Sequence, residues 1–316
     1  MSGFLNIILM KKIFLFCLTG LFVLNFSIWA CEKETPDVPD DNPKEDTLKI
    51  QIVPKIIGFV PYEVSESSGM VMTTPGKIWS HNDSGGKNEL YCIDFNGHVL
   101  KTLAISNATN VDWEELAADN QKRVYIGDFG NNNNVRKDLV IYRIPDPETI
   151  SGNDVEAESI FFSFEDQIAF PPPSSERNFD VEAMVWKSDS LFLFTKDRSS
   201  PLTGYTKMYK LPASPGTHIA RSAGRFYMGN TTTAARVTAA DIDPQSGDLA
   251  LLVQERLIVF RNYPGNQFFD GKVTEYPFVP TPGQVEAIFF SGAKTLYMTE
   301  EIASVENGKL YELTLP

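Results

Sequence analysis

Five short segments of this chain repeat one pattern: an acid or hydroxyl followed by a run of small and apolar residues. They are "ESSGMVMT" (66–73), "DWEELAAD" (112–119), "DVEAMVW" (180–186), "RVTAADID" (236–243) and "QVEAIFF" (284–290). Each leads to a second apolar run that ends in polar residues: "WSHND", "YIGD", "LFTKD", "LLVQE" and "YMTEE". A third strand-like run follows in several units, as in "LYCIDF", "VIYRIP" and "MYKLP". Proline and glycine clusters separate the runs, and no helical period is present from residue 50 onward. Units of roughly 45 to 70 residues with about four strands each describe the blades of a propeller.

The sequence therefore predicts an all-β fold, a five-bladed β-propeller over residues 48–316. The fifth unit ends at Pro316 after three strands, and "LKIQIVPKIIGFV" (48–60) is expected to supply its missing outer strand. That closure joins the two ends of the chain and removes sheet edges that would invite aggregation. Two alternatives share the pattern: a six-bladed ring with a degenerate blade in 199–235, and a β-sandwich.

Residues 1–30 read differently. Two lysines after Met10, an apolar run and a small residue before Cys31 describe a secretory signal. The stretch Ile28-Trp29-Ala30-Cys31 resembles a lipobox, which implies lipidation of Cys31 and anchorage in the outer membrane. Residues 31–47, "CEKETPDVPDDNPKEDT", are acidic and proline-rich with no apolar period, as in a disordered tether. Acids directly after the lipidated cysteine resemble the export signal of surface lipoproteins in Bacteroidetes-type bacteria, which implies display on the cell exterior. Ordinary secretion is the alternative.

Without the two lysines of residues 1–30, 26 basic residues face 41 acidic ones, a net charge of −15. A chain this acidic is a poor partner for nucleic acid and a natural one for divalent cations.

The first strand of each blade lines the central channel. Aligning the five segments on their apolar runs places Ser68, Glu114, Glu182, Thr238 and Glu286 at one level. Two places earlier stand Glu66, Asp112, Asp180, Arg236 and Gln284, which on a strand face the same way. Glu115 serves in place of Glu114 if its hairpin is one residue shorter. Three carboxylates about 5 Å apart at an effective dielectric near 20 repel by roughly 3 kcal/mol per pair. Such a ring needs a cation or raised pKa values. An all-oxygen shell without histidine or cysteine suits Ca²⁺ rather than zinc. The alternative is that the acids accept hydrogen bonds from backbone amides of the next blade.

The order serine, glutamate, glutamate, hydroxyl, glutamate over five blades is similar to the calcium-activated nucleotidases, or apyrases. That resemblance implies a five-bladed propeller with one central Ca²⁺ held by Ser68, Glu114, Glu182, Thr238 and Glu286, with Thr238 where the family has serine. The family's nucleotide-handling residues match less well, since this chain has "SHNDSGG" and Lys196-Asp197-Arg198 at those places. The "D-x-E" openings also resemble uncharacterised propeller lipoproteins and the esterase-like phytase propellers.

Around the same mouth the second strands end in His81, Asn82 and Asp83, then Asp128, then Lys196, Asp197 and Arg198, then Gln254 and Glu255, then Glu300 and Glu301. Lys196 and Arg198 are candidates to hold a phosphate or carboxylate, and Asp128 or Glu300 to position water. No G-x-S-x-G elbow or phosphate-cradling glycine loop is present. Three functions follow. The first is a surface lipoprotein whose calcium-stabilised propeller binds a small molecule or protein at the mouth. The second is a calcium-dependent hydrolase of phosphoanhydrides or phosphoesters. The third is a glycosidase using Asp112, Asp180 and Glu286.

Overall fold

The computed structural model describes residues 47–302 and 308–316. The expected signal, Cys31 and all but the last residue of the tether lie outside the described residues. Among the described residues no helix is long and apolar enough to cross a membrane.

Two strands, β1 (Leu48–Lys49) and β2 (Lys55–Phe59), precede the repeating units. The first unit is β3 (Ser67–Thr74), β4 (Lys77–Asn82), β5 (Glu89–Ile93) and β6 (Val99–Ile105). The second is β7 (Trp113–Ala118), β8 (Val124–Asp128) and β9 (Val140–Ile144), completed after a short β10 (Asp154–Val155) by β11 (Glu158–Phe164). The third is β12 (Asp180–Lys187), β13 (Ser190–Lys196), β14 (Tyr205–Pro212) and β15 (Gly216–Tyr227). After a helical turn, Thr232–Ala235, come β16 (Val237–Ile242), β17 (Leu249–Val253), β18 (Arg256–Arg261) and β19 (Lys272–Pro277). The last is β20 (Val285–Gly292), β21 (Thr295–Glu300) and β22 (Lys309–Thr314).

Strands β3, β7, β12, β16 and β20 are the innermost of their sheets, and each packs on the next around a closed cycle. This is a β-propeller, as expected. The stretch 199–235 holds β14, β15 and the helical turn, so its strands extend the third sheet. The N-terminal closure is shared between two units. Strand β2 pairs antiparallel with β22 and is the outer strand of the last unit, whereas β1 adds in parallel to β19 of the unit before it. The outer edges of the second and third units are also joined, by a parallel pairing of β11 with β15.

The cores lie between sheets. In "SLFLFTK" (190–196), Leu191 and Leu193 belong to the cluster shared with the second unit, and Phe192 and Phe194 to the cluster shared with the fourth. Successive side chains of a strand point to opposite faces. A strand covered on both faces therefore reads as a continuous apolar run rather than an alternating one. Each such side chain contributes on the order of 1.5–3 kcal/mol by burial.

Every inner strand carries a β-bulge at its head. The ladder skips Glu114 in β7, Glu182 in β12, Thr238 in β16 and Glu286 in β20. In β3 the skipped residue is Gly69, one place after Ser68. Gly69 has φ +71°, and a Cβ there would stand 2.5 Å from the Leu116 amide nitrogen, so only glycine fits. Bulges re-aim side chains, and here they turn the acids of the repeat toward the axis. Hydroxyls beside the bulges tie neighbouring units together: Ser68 Oγ donates to the Glu114 carbonyl at 2.7 Å and Thr238 Oγ1 to the Val285 carbonyl at 2.7 Å. Ser68→Ala is expected to lower unfolding stability by about 1 kcal/mol, read from urea denaturation. A change under a few tenths would show that this tie contributes nothing.

Candidate functional site

Glu114, Glu182 and Glu286 converge at one mouth of the channel, and all three are buried. Their charges act on a common neighbour, the ammonium of Lys196, which ends β13. Lys196 Nζ donates to Glu182 Oε2 at 2.9 Å, and Arg198 donates to Glu182 Oε1 at 3.0 Å. Burial pulls the Lys196 pKa down, but the combined charges of Glu182, Glu286 and Glu114 outweigh it and raise the value. A cation carried by the chain thus stands among the acids that the repeat brings together.

Asp180, at the head of β12, receives a hydrogen bond from the Asn131 amide and an ion pair from Arg198. The asparagine loop makes this possible. Asn134 adopts φ +57° and accepts from the Phe179 amide at 3.0 Å, while the Asn131 side chain accepts from the Val135 and Arg136 amides. Asparagine tolerates this left-handed backbone and closes such turns on itself.

Asp83, Asp112 and Glu114 form a tighter group, with one carboxylate oxygen from each within 4.8 Å of the others. Asp83 follows β4, Asp112 precedes β7, and Glu114 is the β7 bulge residue. Gly130 leaves the room for them, since a Cβ there would lie 2.2 Å from Glu114 Oε1 and 2.4 Å from Asp112 Oδ2. Glu114 is 4% exposed, and its carboxylate has no hydrogen bond or ion pair among the described residues. Burial, then the charges of Glu182, Asp83 and Asp180, push its pKa well above the usual carboxylate range.

The neighbours show the same excess of negative charge. Burial, reinforced by Asp83 and Asp180, pushes Asp112 up to about 6. Burial pushes Asp180 up to about 7 against the pull of Arg198. Burial raises Glu286 to about 7, opposed by Lys196, and raises Glu301 to about 7 with help from Asp83. These carboxylates outnumber Lys196, Arg198 and Arg136, the cations whose charge opposes them.

Other expected residues have structural partners. Glu115 is wholly buried, and it accepts from the Leu116 amide at 2.9 Å and from the Ala240 amide of the fourth unit at 3.0 Å. This is the backbone-capping role that was the alternative to metal binding. Asp128 pairs with Arg136 at 2.9 Å and accepts from the Asp112 amide at 3.0 Å. Glu300 accepts from Lys309 at 2.9 Å, from the Gly283 amide at 3.0 Å and from the Tyr311 hydroxyl. His81 is fully buried edge-on to Trp113, with Nδ1 against the Asn82 carbonyl at 3.0 Å, and burial lowers its pKa to about 4.

Sequence reasoning placed Asp83 at the mouth and Asp112 one level out without grouping them with Glu114. The available signal was Gly130 in "GDFGNNNN", a small residue beside a bulged acid.

The donor set is all oxygen, with no thiolate or imidazole in the group. Such a set suits a hard, oxygen-seeking cation rather than one that takes thiolate or imidazole.

No protein-family model matches this chain, and no curated protein matches it. Solved structures do. The PQQ-bound form of aldose sugar dehydrogenase from Streptomyces coelicolor is 11% identical, with 84% of this chain and 98% of that chain covered at a TM-score of 0.52. Virginiamycin B lyase from Staphylococcus aureus is 16% identical over 81% of this chain and 69% of that chain, with a TM-score of 0.38. A gluconolactonase from Xanthomonas campestris is 12% identical over 80% of this chain and 73% of that chain, with a TM-score of 0.43. At these identities the likeness to the sugar dehydrogenase shows the β-propeller fold and nothing of the activity.

Proposed function

We propose that this protein is a five-bladed propeller lipoprotein, anchored in the outer membrane through Cys31 and facing the cell exterior. On this reading, a calcium-dependent mouth binds a small-molecule or protein ligand. Asp83, Asp112 and Glu114 would hold the ion, with Glu182 and Glu286 completing the negative field around it. The observation that carries the reading is Glu114, a carboxylate 4% exposed, without a hydrogen bond or ion pair among the described residues and grouped with two further acids. Burial and the charges of Glu182, Asp83 and Asp180 disfavour the ionised carboxylate more than Lys196 favours it, and a divalent cation offsets that penalty.

Binding is favoured over hydrolysis because the carboxylates best placed by sequence to position water are already engaged: Asp128 by Arg136, and Glu300 by Lys309 and Tyr311. The glycosidase alternative meets the same obstacle at Asp180, which is held by Arg198 and Asn131.

Elemental mass spectrometry of the purified protein tests the metal, with about one calcium per chain expected. Phosphate release from a panel of nucleotides and phosphomonoesters tests the activity, and no turnover is expected. Absence of bound calcium together with a melting temperature indifferent to added calcium would end the metal reading. Turnover that disappears in Glu182→Gln would replace binding with hydrolysis.

A further inference from the structure

Beside the channel mouth lies a polar chamber of about 280 Å³ lined by Lys196, Arg198, Arg236, Gln254, Gln284 and Glu286. Its cations are not equivalent. Lys196 is committed to Glu182, and Arg198 to Asp180 and Glu182. Arg236 has no carboxylate partner among the described residues. Its one hydrogen bond runs from Nε to the Asp197 carbonyl at 3.2 Å.

That anchor is rigid. Asp197 is fully buried, and its carboxylate accepts from Ser199 Oγ, from Thr203 Oγ1 at 2.6 Å and from the Gly204 amide at 2.7 Å. With Nε held, the guanidinium plane is set, and its two terminal nitrogens remain without a partner among the described residues. A fork fixed in this way matches the two oxygens of an anionic group. The chamber's other lining groups add neutral amide donors from Gln254 and Gln284. Glu286 is the one carboxylate in the lining, and Lys196 faces it.

We propose that Arg236 anchors an oxyanion subsite, so that the ligand of the mouth carries a compact phosphate or carboxylate group. The inference rests on the reading that the mouth binds a ligand, and it names the chemistry that ligand presents. A chamber of about 280 Å³ has room for such a group, and a chain with net charge −13 disfavours a polyanion.

The test is calorimetric titration of the calcium-loaded protein at neutral pH with methyl phosphate and, separately, with acetate. At least one probe should bind. Binding of methyl phosphate alone assigns the subsite to phosphoryl groups, and binding of acetate alone assigns it to carboxylates. Arg236→Gln should weaken the binding at least tenfold, and Arg236→Lys, which keeps the charge without the fork, by a smaller factor. Calcium content should be unchanged in both variants, which separates this outcome from loss of the metal site. If the wild-type protein holds no calcium yet binds a probe through Arg236, the subsite stands and the metal reading falls. Equal affinity in wild-type protein and Arg236→Gln overturns the proposal, as does binding of neither probe by calcium-loaded protein. Should Arg236→Gln not fold, wild-type affinity in Arg236→Lys overturns it.

Discussion

In the presence of a chelator, the melting temperature should fall by roughly 5–10 °C as the pH rises from 5 to 8, and calcium at pH 8 should restore most of that loss. The acids of the mouth dictate the direction. Burial places Asp112 at about 6, and Glu286 and Glu301 at about 7, whereas the unfolded chain titrates such groups near 4. The folded protein therefore holds more protons than the unfolded one between about pH 4 and 7. Stability is greatest at the acid end of that window, declines through it, and has lost the whole contribution above about 7. Calcium takes the place of those protons, so its binding near pH 6 should release them and its affinity should rise with pH. A chelated protein whose melting temperature is flat from pH 5 to 8 would show that the mouth acids are not strained by their mutual charge.

Two substitutions of nearly equal size should move the chelated protein in opposite directions at pH 8. Lys196→Gln removes the ammonium that faces Glu182, Glu286 and Glu114 and should cost about 3–5 kcal/mol, the usual penalty for leaving buried charge without its partner. Glu114→Gln removes a carboxyl whose charged form burial and the neighbouring acids disfavour, with no hydrogen bond or ion pair among the described residues to lose, and should raise stability by about 1–3 kcal/mol. Calcium reverses the ranking: it should recover much of the loss in Lys196→Gln and do little for Glu114→Gln, which lacks the central ligand. Urea denaturation with and without calcium measures all four values. Shifts of the same sign in the two chelated variants would sink the charge imbalance on which the metal site depends.

Much of the architecture was written locally. The runs in "SLFLFTK" and "VEAIFF" are buried on both faces, and a strand of this kind declares itself by composition wherever it occurs. The five heads of the repeat carry the bulges, with Glu114, Glu182 and Glu286 among the bulged residues. The offset at Ser68 was missed because a bulge moves the side-chain register by one, and Gly69 takes the bulged place only because β7 passes so close to it. Likewise, "LKIQIVPKIIGFV" reads as one strand, yet β1 and β2 go to different sheets because the edges that receive them belong to different units.

By itself, the sequence determined the strands, their repetition and the excess of acid at one end of the channel, since period, composition and turn residues act over a few neighbours. Tertiary structure alone decided which charge answers which. Lys196 reaches Glu114 and Glu286 from another blade, Asp83 meets Asp112 across a blade junction, and Arg236 has no carboxylate partner among the described residues although acids lie close to it in sequence. Electrostatic energy depends on distance through space, and a closed ring brings together residues that the chain holds far apart.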